Sequence, residues 1–152
     1  HTNDAPSAVA RLYKMGIEPF LIAYAINIIV AQRLIRKLCN NCKKQVTDFP
    51  EEYYKALGLD VEEWRKLTIY EAVGCDKCSN TGYKGRLAIH EALYFTKDLK
   101  QIILRSGSEV DEEKIRLQAK KDGTLNLRES GLEKVKLGIT SLEEVISGTS
   151  DE

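Results

Sequence analysis

The chain has 152 residues, 43% hydrophobic and 30% charged, which predicts one ordinary globular domain or two small ones and excludes a low-complexity or fibrous chain. Lys plus Arg equal Asp plus Glu at 23 each, so the net charge is zero, which argues against a dedicated nucleic-acid binder but leaves room for a local basic patch. The longest apolar run, residues 19–31, contains Asn27 and is too short to span a bilayer. No targeting segment is apparent, and a start at His1 without Met predicts an excised piece of a longer protein.

The first expected element is a short helix capped by Asp4, with Pro6 in its first turn, Gly16 at its end and an apolar stripe of Val9, Leu12 and Tyr13. A second helix opens at Glu18-Pro19. Phe20, Leu21, Ala23, Tyr24, Ala25, Ile26, Ile28 and Ile29 make it apolar nearly all round, which predicts burial. Leu34, Ile35 and Leu38 fit a continuing helix as well as a strand; a strand from about Gln32 is preferred for a reason given with the cysteines. Asp48-Phe49-Pro50 opens a helix that runs through Leu57 and stops at Gly58. Asp60 with Glu63 forms a capping-box pattern for a short helix near Trp64.

Asn80 to Gly85 is dense in turn residues. Arg86 to Tyr94 then alternates as a strand, with Leu87, Ile89, Glu91 and Leu93 on one face and Ala88, His90, Ala92 and Tyr94 on the other. The remainder reads as helical. One helix starts at Thr96 and carries Leu99, Ile102, Ile103 and Leu104. Another starts around Ser108 and Asp111 and ends at Gly123. A third starts at Thr124, runs through Leu127, Leu132, Val135 and Leu137, and ends at Gly138. A last capping box, Thr140 with Glu143, precedes Leu142, Val145 and Ile146.

All four cysteines fall into two Cys-x-x-Cys knuckles, Cys39/Cys42 and Cys75/Cys78. Two residues between paired thiols let one turn aim both sulfurs at one point, and two such turns supply the four sulfurs of a tetrahedral structural Zn²⁺ site. Iron also accepts four thiolates. Two disulfides, one redox pair or four free thiols are the alternatives; disulfides need an oxidising compartment, and a redox pair leaves the second knuckle unexplained. Clamping Cys42 to Cys75 brings the flanks 32–38 and 85–94 together in opposite senses. This predicts a small antiparallel ribbon with the metal loop inserted at its end, in a mainly α chain. Three regions follow: 1–38, a metal-binding insert 39–84, and 85–152. Arg33, Arg36, Lys37, Lys43 and Lys44 form a basic run, read either as a solvated face or as a contact with a partner subunit or an acidic membrane surface.

Several ordered motifs carry a resemblance: His1-Thr2-Asn3-Asp4-Ala5-Pro6-Ser7-Ala8, Met15-Gly16-Ile17-Glu18-Pro19-Phe20, Ala31-Gln32-Arg33-Leu34, Leu38-Cys39, Gly74-Cys75 with Cys78, and Asn80 to Arg86, then Leu127-Arg128-Glu129 and Thr140 to Val145. Together they resemble the bacterial secretion ATPases of type II secretion and type IV pilus assembly, in the branch that carries four cysteines. The resemblance implies the C-terminal part of a RecA-like motor domain. It implies a homohexameric parent in the cytoplasm, peripheral at the inner membrane, working with inner-membrane platform proteins and using ATP and Mg²⁺. By that resemblance His1 matches the histidine of the family's histidine box, which senses nucleotide in the whole motor, while in this chain alone it reads as a terminal residue with no role. The sequence contains no Gly-x-x-x-x-Gly-Lys-Ser/Thr loop, so the chain alone is expected to hydrolyse no ATP and to hold no catalytic residue. The alternative function is a free-standing zinc-ribbon module binding protein or nucleic acid. Glu51, Glu52, Glu62, Glu63 and Glu71 inside the insert weigh against nucleic acid.

Overall fold

Local side-chain chemistry starts most of the helices. In the computed structural model, which describes residues 4–107 and 109–150, Asp4 caps α1 (Ala5–Lys14) by accepting the Ser7 N–H at 2.8 Å. Asp60 caps α4 (Val61–Arg65) through the N–H groups of Glu62 and Glu63. Thr96 caps α5 (Lys97–Leu104) and Asp111 caps α6 (Glu112–Lys121). These are the expected caps; Ser108 lies outside the described residues. The helix expected after Pro50 is α3 (Glu51–Ala56).

Two expected caps shift. Thr124 does not open α7 (Leu127–Lys136); its hydroxyl donates to the Ala92 carbonyl at 3.3 Å. Asn126 caps instead, in a reciprocal box: its side chain accepts the Glu129 N–H at 2.8 Å, and Glu129 accepts the Asn126 N–H at 3.0 Å. Likewise Ser141, not Thr140, accepts the Glu144 N–H at the start of α8 (Leu142–Gly148). Thr140 is fully buried and donates to the Arg36 carbonyl at 2.8 Å.

The second helix corrects an expectation. α2 spans only Pro19–Ala25 and buries Ile22 and Ala23 alone. Phe20, Leu21 and Tyr24 stand 61%, 52% and 56% exposed. The β-branched run that follows leaves the helix early, so strand β1 covers Ile28–Leu38, beginning four residues before Gln32.

β1 pairs with β4 (Tyr83–Tyr94). Phe95 N donates to Asn27 O at one end and Cys39 N to Gly82 O at the other, so the strands run antiparallel. Along β4, Ile89, Glu91 and Leu93 are buried while His90 and Tyr94 are exposed, the alternation expected. A second ladder, unforeseen, pairs β2 (Lys44–Gln45) with β3 (Tyr70–Glu71), antiparallel.

The chain divides into two compact units. Among the described residues, one comprises Asp4–Arg33, Ile89–Ser130 and Thr149–Ser150. Its core joins Ala5 and Val9 of α1, Ile22 and Ala23 of α2, Leu93 of β4 with Phe95, Leu99 and Ile103 of α5, and Ile115 and Ala119 of α6. The other comprises Leu34–Ala88 and Gly131–Gly148. Its interior is more aromatic: Tyr54 lies near Phe49 and Trp64, with centroids at 5.4 and 6.3 Å, alongside buried Val61 and Ile69. Gly131 is required there, since a Cβ on it would lie 2.6 Å from Val145 Cγ1 and push α7 off α8.

Candidate metal centre

The site lies in the second unit. At the first knuckle the chain leaves β1 at Leu38 and turns tightly, with Cys42 N and Lys43 N both donating to the Cys39 carbonyl at 3.2 and 2.9 Å. The second knuckle is a single 3-10 turn, Asp76–Cys78. It leaves through Ser79 and Asn80 in the left-handed region and returns as Asn80 N donates to the Cys75 carbonyl at 2.9 Å. Glycine is needed on both sides. A Cβ on Gly74, at φ 121, would meet Asn80 O at 2.7 Å, and one on Gly82, at φ 76, would meet Ala72 Cβ at 2.6 Å.

These turns bring together the four sulfurs expected from the sequence, every one within 4.8 Å of the others. Cys39 Sγ is 3.9 Å from Cys75 Sγ, and Cys78 Sγ is 3.8 Å from both Cys42 Sγ and Cys75 Sγ. None is in a disulfide. A tetrahedron of sulfurs around an ion at about 2.3 Å has an edge of about 3.8 Å, so the donor set fits a four-thiolate metal.

The surroundings favour thiolates. Cys75 N–H and Gly82 N–H each donate to Cys78 Sγ at 3.2 Å, and Asn41 Nδ2 donates to Cys75 Sγ at 3.4 Å. Desolvation pushes the Cys78 thiol up, but the amide donors outweigh it and bring it down to about 6. Asn41 heads the influences that hold Cys75 below the usual thiol range. Cys42 is pushed up to about 12 by desolvation and by the three neighbouring sulfurs. Four thiols this close resist joint ionisation unless a cation is shared among them, the electrostatic role a bound metal would fill.

The segment after α7 is tied to both flanks of the first knuckle, a feature the sequence reading missed. Leu38 N, just before Cys39, donates to Ile139 O at 2.8 Å; Lys43 Nζ, just after Cys42, donates to Gly138 O at 2.8 Å and lies 4.6 Å from the Tyr70 ring centre. Tyr83 hydroxyl meets Ser141 Oγ at 2.7 Å. Arg36 holds Glu144 through its backbone N–H and its Nε, both at 2.9 Å, with its guanidinium 4.1 Å above the Tyr83 ring. Two members of the basic run, Arg36 and Lys43, are therefore committed inside this unit. His1 lies outside the described residues.

A family model described as type II/IV secretion system protein matches residues 1–147. The chain belongs to that family. Among its relatives, the type IV pilus assembly ATPase PilB of Myxococcus xanthus is 44% identical over 152 residues, covering 99% of this chain and 26% of that protein. PilB of Thermus thermophilus is 42% identical, over 98% of this chain and 16% of its own length. The type II secretion system ATPase E of Vibrio cholerae is 42% identical, over 99% and 29%. The chain thus spans less than a third of these secretion-family relatives. No helix among its described residues is long and apolar enough to cross a membrane.

Proposed function

We propose that this chain is the metal-stapled portion of a hexameric motor ATPase that powers type IV pilus assembly or type II secretion. The observation that carries the reading is four sulfurs at tetrahedral spacing, Cys39, Cys42, Cys75 and Cys78, within a chain matched to this family nearly end to end. A bound Zn²⁺ would supply four thiolate bonds and no open coordination position, so its chemistry is structural, not catalytic. The chain's own residues do the remaining work. The amides of Cys75 and Gly82 and the side chain of Asn41 orient and charge-balance the sulfurs. Lys43 and Leu38 fasten the 138–140 segment to the same knuckle.

Catalysis belongs to the whole motor, in the cytoplasm at the inner membrane, with ATP, Mg²⁺, neighbouring subunits and platform proteins. His1 is assigned to nucleotide sensing there. The residues present offer no phosphate-cradling loop, and phosphoryl transfer without one lacks its electrostatic stabilisation. Protein purified without chelator should carry about one zinc per chain, the stoichiometry of a four-thiolate site, and should show no ATP turnover. Less than half an equivalent of metal, or turnover that vanishes in His1→Ala, overturns the assignment.

A further inference from the structure

The net charge of zero conceals a segregation. In the second unit, residues 34–45 and 77–88 carry seven cations and no acid. Arg36 and Lys43 are engaged as described above. The other five, Lys37, Lys44, Lys77, Lys84 and Arg86, are exposed and have no side-chain partner among the described residues. Several acids of the chain are paired elsewhere. Glu51 pairs with Lys55 and Arg65, Glu63 and Glu133 with Lys136, and Asp4 and Glu112 with Arg116.

Three of the five unspent cations, Lys37, Lys84 and Arg86, sit at the knuckle end of the β1–β4 ribbon. Gly85, at φ 80, leaves bare backbone between Lys84 and Arg86, and the Lys37 chain passes it at 3.8 Å from where a Cβ would stand. Beside it Arg36, Thr81, Tyr83, Gly85 and Arg86 line an open cleft of about 200 Å³. That volume suits a carboxylate side chain, and the Glu144 grip on Arg36 already shows how a carboxylate meets this guanidinium.

We infer that this ribbon end is a docking surface for an acidic, extended protein segment, its carboxylates entering beside Arg86 and pairing with Lys37 and Lys84. Single-stranded nucleic acid is disfavoured because it needs open aromatic faces for stacking. Of the rings in this unit, Tyr83 is covered by Arg36 and Tyr70 by Lys43, both cations of the chain itself. A flat bilayer cannot enter a side-chain-sized cleft. The inference stands apart from the motor assignment, since it rests on charge and shape alone.

The test uses the full chain, zinc-loaded, with a fluorescein-labelled ten-residue glutamate peptide followed by anisotropy. The expected result is saturable binding that weakens at least tenfold as salt rises from about 50 to about 300 mM. It should weaken at least tenfold again in Lys37→Glu/Lys84→Glu/Arg86→Glu, and survive in the charge-preserving Lys37→Arg/Lys84→Arg and in the control Lys97→Glu/Lys121→Glu, placed in the first unit. Zinc content measured on each variant separates lost docking from lost folding, and Arg86→Gln serves if the triple variant fails to fold. The inference is overturned by absence of saturable binding or by equal loss in variant and control. It is also overturned if phosphatidylglycerol vesicles or an oligothymidine bind more tightly than the peptide, or if the patch cations are consumed by self-association of the chain.

Discussion

The two units solve the same problem with different materials. The unit built on α1, α2, α5 and α6 gathers ten buried residues into one apolar cluster, with six large side chains (Val9, Ile22, Leu93, Leu99, Ile103 and Ile115) nearly or wholly inaccessible. Each such side chain contributes about 1.5–3 kcal/mol on burial. The unit of Leu34–Ala88 and Gly131–Gly148 carries its metal-side insert on α3 with six residues, α4 with five, and strands β2 and β3 of two. Elements this short are marginal without tertiary support. Four sulfurs, several cation–ring contacts and the 138–144 segment reinforce its buried Ile35, Ile69, Val135 and Val145. One unit is therefore expected to depend on packing, the other on a metal.

The largest effect should come from taking the metal away. Structural zinc contributes on the order of 10 kcal/mol of apparent binding energy in small peptides. Chelation, or Cys75→Ser, should collapse hydrogen-exchange protection across residues 34–88 and release the 138–144 segment, while the amides of α5 and α6 stay protected. If both units lose protection together, the division into a packed and a stapled unit fails; if neither does, the sulfurs are not a staple. On the proposed function, the same substitution in the whole motor should impair pilus assembly or secretion more than basal ATP hydrolysis.

The converse perturbation is Leu99→Ala. Leu99 is fully buried in the apolar cluster, so its truncation should cost about 2–5 kcal/mol, read as an earlier denaturant midpoint for the first unit. Zinc stoichiometry should not change. A drop in bound zinc on Leu99→Ala would show the two units to be one cooperative structure.

What the sequence disclosed, and what it hid, follows the same division. Caps at Asp4, Asp60, Thr96 and Asp111 were legible because the accepting oxygen and the donating N–H lie within three residues. The cysteine knuckles were legible for the same reason, and the ribbon followed from closing a loop. Thr124 and Thr140 misled because each hydroxyl serves a distant carbonyl, Ala92 O and Arg36 O, leaving the cap to Asn126 and Ser141. The exposure of Phe20, Leu21 and Tyr24 was hidden because composition reports that a helix is apolar, not what covers it. A two-residue ladder such as Lys44–Gln45 with Tyr70–Glu71 leaves no periodic signal at all. The grip of residues 138–144 on the first knuckle joins positions about a hundred apart, where one sequence carries no information on pairing.

The smallest expected effect compares one carboxylate–guanidinium pair in each unit. In the first, Asp4 pairs with Arg116; burial pushes the Asp4 carboxyl up, and Arg116 with the Ser7 donors brings it below its usual value. In the second, burial pushes Glu144 up, and Arg36 brings it below. A carboxylate depressed in the folded state contributes its full stabilisation above the unfolded pKa and loses it as pH falls through the folded one. Both pairs should therefore hold at neutral pH and weaken from about pH 5 downward, given unfolded values near 4. Arg36 is half exposed and Arg116 more than a third, so solvent screening limits each pair to about 0.5–1 kcal/mol. Asp4→Asn keeps the helix cap, since asparagine caps as well as aspartate, and should flatten the acid limb of the first unit alone. Glu144→Gln should flatten that of the second. Residue-resolved hydrogen exchange between pH 3 and 6 reads the two limbs separately. An unaltered acid limb in both variants would assign acid sensitivity to other carboxylates, and a limb that flattens in the wrong unit would dissolve the distinction between them.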